Sequence, residues 1–201
     1  MHRMIRSLGI DVIRYPARDS FRWELMRLLQ RLEINCVLDV GANHGQYARL
    51  LREWGYRGEI VSFEPIPEVF ASLRQSMAGD PRWQGHPWAL GEAETELEIN
   101  VANGDAQASS FLTFNEEGPV RWGDDHRVAR SVRVPVRRLD AVLDQVTGHL
   151  ASRRMYLKLD TQGFDLRVVA GAGARISEIL ALQTEIAAFH FYDGMTSIGD
   201  A

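Results

Sequence analysis

The chain has 201 residues, a formal net charge of −4 and a pI near 5.9, with 45% hydrophobic and 25% charged residues. That is enough chain for one domain with a sizeable core, in the composition range of ordinary globular proteins. The acidic balance argues against broad non-specific nucleic-acid binding, and no stretch reaches the ~18 apolar residues of a membrane span. The single cysteine, Cys36, excludes an intrachain disulfide and fits a buried thiol in a protein of the reducing cytoplasm.

Residues 1–34 read as an N-terminal helical segment. Its start, "MHRMIRSLGIDVIRYPARDS", carries Arg3, Arg6 and Arg14 without the apolar run of a signal peptide. A solvated arm is the expected role, with peripheral contact to an anionic lipid surface as the alternative. Leu25, Leu28, Leu29 and Leu32 then recur at helical spacing, predicting an amphipathic helix over 21–32 with Ser20 as its N-cap.

From residue 35 strands and helices alternate. "CVLDV" is a short buried strand, and "QYARLLREWG" a helix with Tyr47, Leu50, Leu51 and Trp54 on one face and Gly55 as its stop. "EIVSFEP" is the next strand, "PEVFASLRQSM" the next helix, and "WQGHPWAL" holds a third strand. Such alternation predicts a parallel α/β sheet with right-handed crossovers. "ETELEINVA", "SSFLTF" and "RSVRVPVRRL" read as inserted antiparallel strands decorating that sheet. "LDAVLDQV" restores helix, "MYLKLDTQG" is a strand, "DLRVVAGAGARI" a helix, and 179–187 one more apolar strand.

Asp39, Glu64, Asp160 and Glu185 all stand at strand ends. In an open parallel sheet those ends form the ligand-binding edge. Like charges gathered there cost energy, so a shared ligand explains the set better than four separate caps. The loop Gly41-Ala42-Asn43-His44-Gly45 joins the first strand to its helix, and its glycines suggest close approach by a ligand. Glu64, about twenty residues on, is where doubly wound folds grip ribose hydroxyls. The spacing G-x-N-x-G is not the dinucleotide fingerprint G-x-G-x-x-G. The carboxylates disfavour phosphate and suit a nucleoside carrying a cation, which is the form of S-adenosylmethionine (SAM).

The motifs "VLDVGANHGQY", "IVSFEPIPEVFASL", "ASSF", "VRRLDAVL", "MYLKLDTQGFD" and "LQTEIAAFHFYDG" together resemble the FkbM family of SAM-dependent methyltransferases. The resemblance covers most of residues 35–194. It implies a class I methyltransferase fold, Rossmann-like with helices on both faces, and methyl transfer from SAM to a hydroxyl of a sugar, glycolipid or related natural product. By position, Asp39, Gly41, Asn43 and Gly45 would line the methionine and ribose side of SAM. Glu64 would hold the ribose, and the segment around Ala89 would meet the adenine. Asp160, Thr161 and Gln162 would sit by the methyl group and the acceptor. Class I enzymes usually carry two further strands after the fifth. No such pair is expected within 35–201, which would leave the fifth strand an edge for a second copy to cover.

Methyl transfer to an alcohol needs a base, and Asp160, Glu185 and His190 are the candidates. Ser109, Ser110, Gln162 and Tyr192 are candidate acceptor contacts; for "ASSF" a simple turn is the alternative, and for Tyr192 packing. Lys158 shares a strand face with Asp160 and either orients it or serves the architecture. Arg121, His126, Arg127, Arg130, Arg133, Arg137 and Arg138, with Trp122, make the middle basic; a solvated strand face is expected, an anionic acceptor the alternative. Asp160, Glu185 and His190 could ligate a metal, but no tight ligand spacing appears and none is expected. The rival functions are a catalytically incomplete SAM-binding or assembly module, then a nicotinamide-dependent oxidoreductase. Nucleic-acid methylation comes last, because the Asn/Asp-Pro-Pro-aromatic signature is missing.

Overall fold

The structure, a computed structural model, describes residues 20–102, 109–113, 128–185 and 192. His190 and the basic residues Arg121, His126 and Arg127, with Trp122, lie outside the described residues. The chain divides into two compact units, residues 1–33 and 34–201.

In the first unit α1 spans Phe21–Arg31, and the Ser20 hydroxyl accepts the Trp23 N–H at 3.3 Å as an N-cap. Leu25 and Leu29 are buried, whereas Leu28 is exposed, so the apolar stripe is narrower than the leucine spacing suggests.

The second unit is built on a five-stranded parallel sheet. Its strands are β1 (Cys36–Val40), β2 (Glu59–Phe63), β3 (Trp83–His86), β7 (Met155–Leu159) and β8 (Ile179–Gln183), in the order β3-β2-β1-β7-β8. The order reverses at β1, which places the ligand crevice of such folds at the carboxyl ends of β1 and its neighbours. The connecting helices are α2 (Gln46–Glu53), α3 (Pro67–Met77), α4 (Leu139–Thr147) and α5 (Asp165–Ala172). This is the expected Rossmann-like architecture.

Alternation along the strands divides the sheet chemically. Cys36, Leu38 and Val40, with Val61, Phe63, Met155, Leu157 and Leu159, form one dry face against Leu139, Leu143 and Val146 of α4 and Val168 of α5. Burial there pushes the Cys36 thiol up to about 12, so it is an inert core thiol. The opposite face presents Asp39, Ser62 and Lys158 beside Tyr47 of α2, and this polar face leads to the rim. On α2 itself Ala48 and Leu51 are buried and Leu50 is exposed, a partial correction to the expected helix face.

The inserted strands do not extend the main sheet. β4 (Ala89–Leu90), β5 (Thr95–Ala102) and β6 (Val128–Arg137) form a separate sheet ordered β4-β6-β5. β5 and β6 are antiparallel, as expected, but β4 pairs with β6 in parallel. The stretch "WQGHPWAL" is therefore split between two sheets, and Pro87, which has no N–H for a ladder, stands between the pieces. Of "SSFLTF", Ser110 pairs with Asn100 through two main-chain hydrogen bonds of 2.9 and 3.1 Å. Among the basic residues of β6 and its end, Arg130 pairs with Glu68 and Arg137 with Glu94, while Arg133 stands opposite Glu98. That is the expected charged strand face.

The second sheet meets α5 at a close backbone approach. A Cβ on Gly171 would lie 1.9 Å from the Gly91 carbonyl oxygen. Neither neighbour can yield, since both atoms belong to main chain. Gly171→Ala is therefore expected to lower the melting temperature by several degrees despite alanine's better helix propensity; an unchanged or raised melting temperature would contradict this packing.

Candidate functional site

Two acids and a lysine converge at the carboxyl ends of β1 and β7. Lys158 is nine-tenths buried or more, and its ammonium lies 3.1 Å from Asp39 Oδ1 and 3.3 Å from Asp160 Oδ2. It also donates to the Gly41 carbonyl at 3.2 Å. β1 and β7 are paired with Asp39 opposite Lys158, so sheet register alone brings the two together. Burial opposes the ammonium's charge, but Asp39 and Asp160 outweigh it and raise its pKa. The Lys158 ammonium also sits 5.3 Å over the Tyr47 ring.

Asp39 is fully buried beneath the loop and also accepts from the Ser62 hydroxyl at 3.4 Å. Glu64 is 5% exposed. Its Oε2 accepts the Asn43 N–H at 3.0 Å and its Oε1 the Ile66 N–H at 2.9 Å. Desolvation pushes the Glu64 carboxyl up to about 7, against the pull of those two amides. Glu185 stands beyond the end of β8, and burial followed by the charge of Asp160 raises its pKa. The four carboxylates thus share one rim and one electrostatic field.

The loop's glycines have an internal explanation. Gly41 has φ +71°, and a Cβ there would lie 2.0 Å from the Asp160 carbonyl oxygen. Gly45 has φ +82°, and its Cβ would meet Leu73 Cδ1 at 2.8 Å. The close approach suggested by the sequence is thus made by the protein's own chain at both glycines. Asn43, with φ +49°, uses its Oδ1 to accept the His44 N–H at 2.7 Å.

The second loop, after β7, is held as tightly. Gln162 has φ +53°, donates from Nε2 to Asp160 Oδ1 at 3.0 Å, and accepts the Tyr192 hydroxyl at 3.2 Å. Its carbonyl accepts the Ser110 hydroxyl at 2.8 Å. Ser110 is 1% exposed, so its hydroxyl serves this link, and Ser109 accepts the Ala102 N–H at 3.1 Å. The structure therefore brings Ser110, Gln162, Tyr192 and Asp160 together. Ala89 lies on β4 in the second sheet, opposite Val136. Just before it, His86 stacks on Phe63 (5.5 Å between centroids) and lies 4.5 Å from Trp88. Buried His86 Nε2 and Trp88 Nε1 have no hydrogen-bond partner among the described residues.

Sequence reasoning missed two groups. Asp165, at the start of α5, accepts the Thr161 N–H at 3.0 Å, the Thr161 hydroxyl and the Thr184 hydroxyl at 3.0 Å, tying together the chain ends after β7 and β8. An acid in a helix's first turn was the available signal. Gln183 Oε1 accepts the hydroxyls of Tyr47 (2.9 Å) and Tyr156 (2.7 Å). It lies two residues before Glu185, a spacing that puts both on one side of a strand.

The Methyltransferase FkbM domain family matches residues 39–200, most of the chain. The chain belongs to this family of methyltransferases. A relative, the 2-O-methyltransferase NoeI of Sinorhizobium fredii, is 25% identical over 165 residues, covering 79% of this chain and 65% of its own length. The chain thus spans just under two thirds of that relative. No helix among the described residues is long and apolar enough to cross a membrane.

Removing one partner of the buried pair leaves an uncompensated charge. Lys158→Met is therefore expected to destabilise the protein by about 3–5 kcal/mol, read from urea midpoints. Asp39→Asn added to it should restore part of that loss. Simple additivity of the two substitutions would contradict the coupling.

Proposed function

We propose that this FkbM methyltransferase transfers a methyl group from SAM to a hydroxyl of a sugar, glycolipid or related small molecule. The observation that carries the reading is Glu64. A carboxylate offers about four lone-pair sites. Two of Glu64's are taken by the Asn43 and Ile66 amides, which fix it at the loop and leave two for vicinal ribose hydroxyls. The nearby His86 and Trp88 ring nitrogens, buried and without a partner among the described residues, suit the edge of a purine near Ala89. The residues present therefore fit a nucleoside, and the acids around them fit one that carries a sulfonium.

When bound, SAM supplies the methyl carbon as an electrophile and leaves as S-adenosylhomocysteine. The chain's residues have three tasks. Gly41, Asn43 and Gly45 shape the loop that receives the cofactor, with Asp39 holding Lys158 beneath it. Asp160, Gln162 and Tyr192 orient the acceptor hydroxyl, with Ser109 and Ser110 bracing that loop. Asp160 or Glu185, or His190 outside the described residues, takes the proton as the oxygen attacks. Positioning of this kind contributes several kcal/mol to lowering a barrier. The raised pKa of Glu185 fits a carboxylate that accepts a proton. The 2-O-methyltransferase relative supports oxygen as the acceptor atom, and the outer edge of β8, which pairs with no further strand among the described residues and has Leu180 and Leu182 exposed, is where a second copy would pair.

The ribose contact makes a pH prediction. If ionised Glu64 accepts both ribose hydroxyls, binding competes with its protonation, so affinity rises with pH through about 7 and then levels. Calorimetry with S-adenosylhomocysteine should show binding about tenfold weaker at pH 6 than at pH 8, and Glu64→Gln should flatten the profile. A pH-independent affinity in the parent would count against the assignment.

A further inference from the structure

We propose that the cleft between α2 and the end of α3 binds phosphoryl groups through Arg49, Arg57 and Arg82. The cleft has a volume of about 700 Å³ and lies apart from the acidic rim residues. Arg52 is its brace. Its Nε meets Asp80 at 2.6 Å, its Nη1 donates to the carbonyls of Tyr56 and Gly58 at 3.1 and 2.9 Å, and its Nη2 to that of Arg82 at 3.0 Å. Every nitrogen of that guanidinium is occupied.

The other three are arranged differently. Arg49 Nη1 donates to the His44 carbonyl at 2.7 Å. Arg57 Nη1 donates to the carbonyls of Arg52 and Tyr56, both at 3.2 Å, and Arg82 Nη1 to that of Arg57 at 2.5 Å. Each is thus tethered through one nitrogen, while its Nε and Nη2 have no partner among the described residues. A guanidinium held this way presents its Nε–Nη2 edge, two parallel donors matched to two oxygens of one phosphoryl group.

Satisfying the Arg52 carbonyl in the last turn of α2 explains one Nη1 bond of Arg57, and the remaining Nη1 bonds go to the loop carbonyls of His44, Tyr56 and Arg57. These bonds do not explain three free edges around one cleft. Charge points the same way. Four arginines face two carboxylates, Glu53 and Asp80, and Asp80 is neutralised by Arg52. A cationic cleft in a chain of net charge −4 selects an anion, and the free edges select one with several oxygens. The inference does not depend on the cofactor reading.

The test titrates the full chain with inorganic pyrophosphate and, separately, with phosphatidylglycerol vesicles against phosphatidylcholine vesicles. Arg57→Gln and Arg82→Gln are compared with Arg167→Gln, which removes an arginine elsewhere on the surface. Saturable binding to at least one anionic probe, about fivefold weaker in the two cleft variants and unchanged in the control, is expected. Pyrophosphate alone would mark a soluble phosphorylated ligand; vesicles alone would mark a lipid headgroup. In the parent protein, the Nε–H resonances of Arg49, Arg57 and Arg82 should shift on titration, a readout that needs no variant. No binding to either probe, equal weakening in the control, or shifts confined to other arginines would overturn the proposal.

Discussion

A single buried ammonium organises the rim of this sheet. Lys158 reaches Asp39 from the neighbouring strand, Asp160 just past the end of its own strand, and the carbonyl of Gly41 in the first loop. Without it, Asp39 would be a fully buried carboxylate in a cluster of acids, at a cost of several kcal/mol. With it, the β1 loop and the β7 loop are fixed to one point. The Gly41–Asp160 backbone contact, too close for any side chain, adds a second tie between the same two loops.

That arrangement separates the work of the acids. Asp39 is enclosed and acts through Lys158 and the loop above it. Glu64 is anchored by two amides and keeps acceptor capacity. Asp160 is partly exposed, steadied by Lys158 on one side and Gln162 on the other. Glu185 stands at the outer end of the row, with Gln183 and its two tyrosines behind it. The chain's membership in the FkbM methyltransferase family is the ground for the proposal that this row serves one site, where loops tied at several points would supply the positioning a displacement reaction needs.

Much of this was legible in the sequence, for local reasons. α3 begins at Pro67, which is preorganised for a first helical turn, and the expected span 67–77 is the observed one. β1 and β7 are short apolar runs closed by acids and glycines, and they lie where expected. What escaped the sequence is long-range. Nothing local says that Ala89 pairs with Val136, or that the inserted strands make a sheet of their own. β8, expected over 179–187, ends at Gln183, because its pairing with β7 stops at Lys158. The glycine loop was read as room for a ligand, whereas Asp160 and Leu73 fill the space beside Gly41 and Gly45. Lys158 had two readings from spacing alone, and its contacts to Asp39, Asp160 and the Gly41 carbonyl bear out the architectural one.

The most direct test is a crystal structure of the full chain with S-adenosylhomocysteine. The account predicts ribose hydroxyls on the Glu64 carboxylate, the sulfur beside the rim at Asp160, and the Lys158 ammonium still between Asp39 and Asp160. A nucleoside bound away from Glu64, or a Lys158 side chain displaced from both carboxylates, would contradict it.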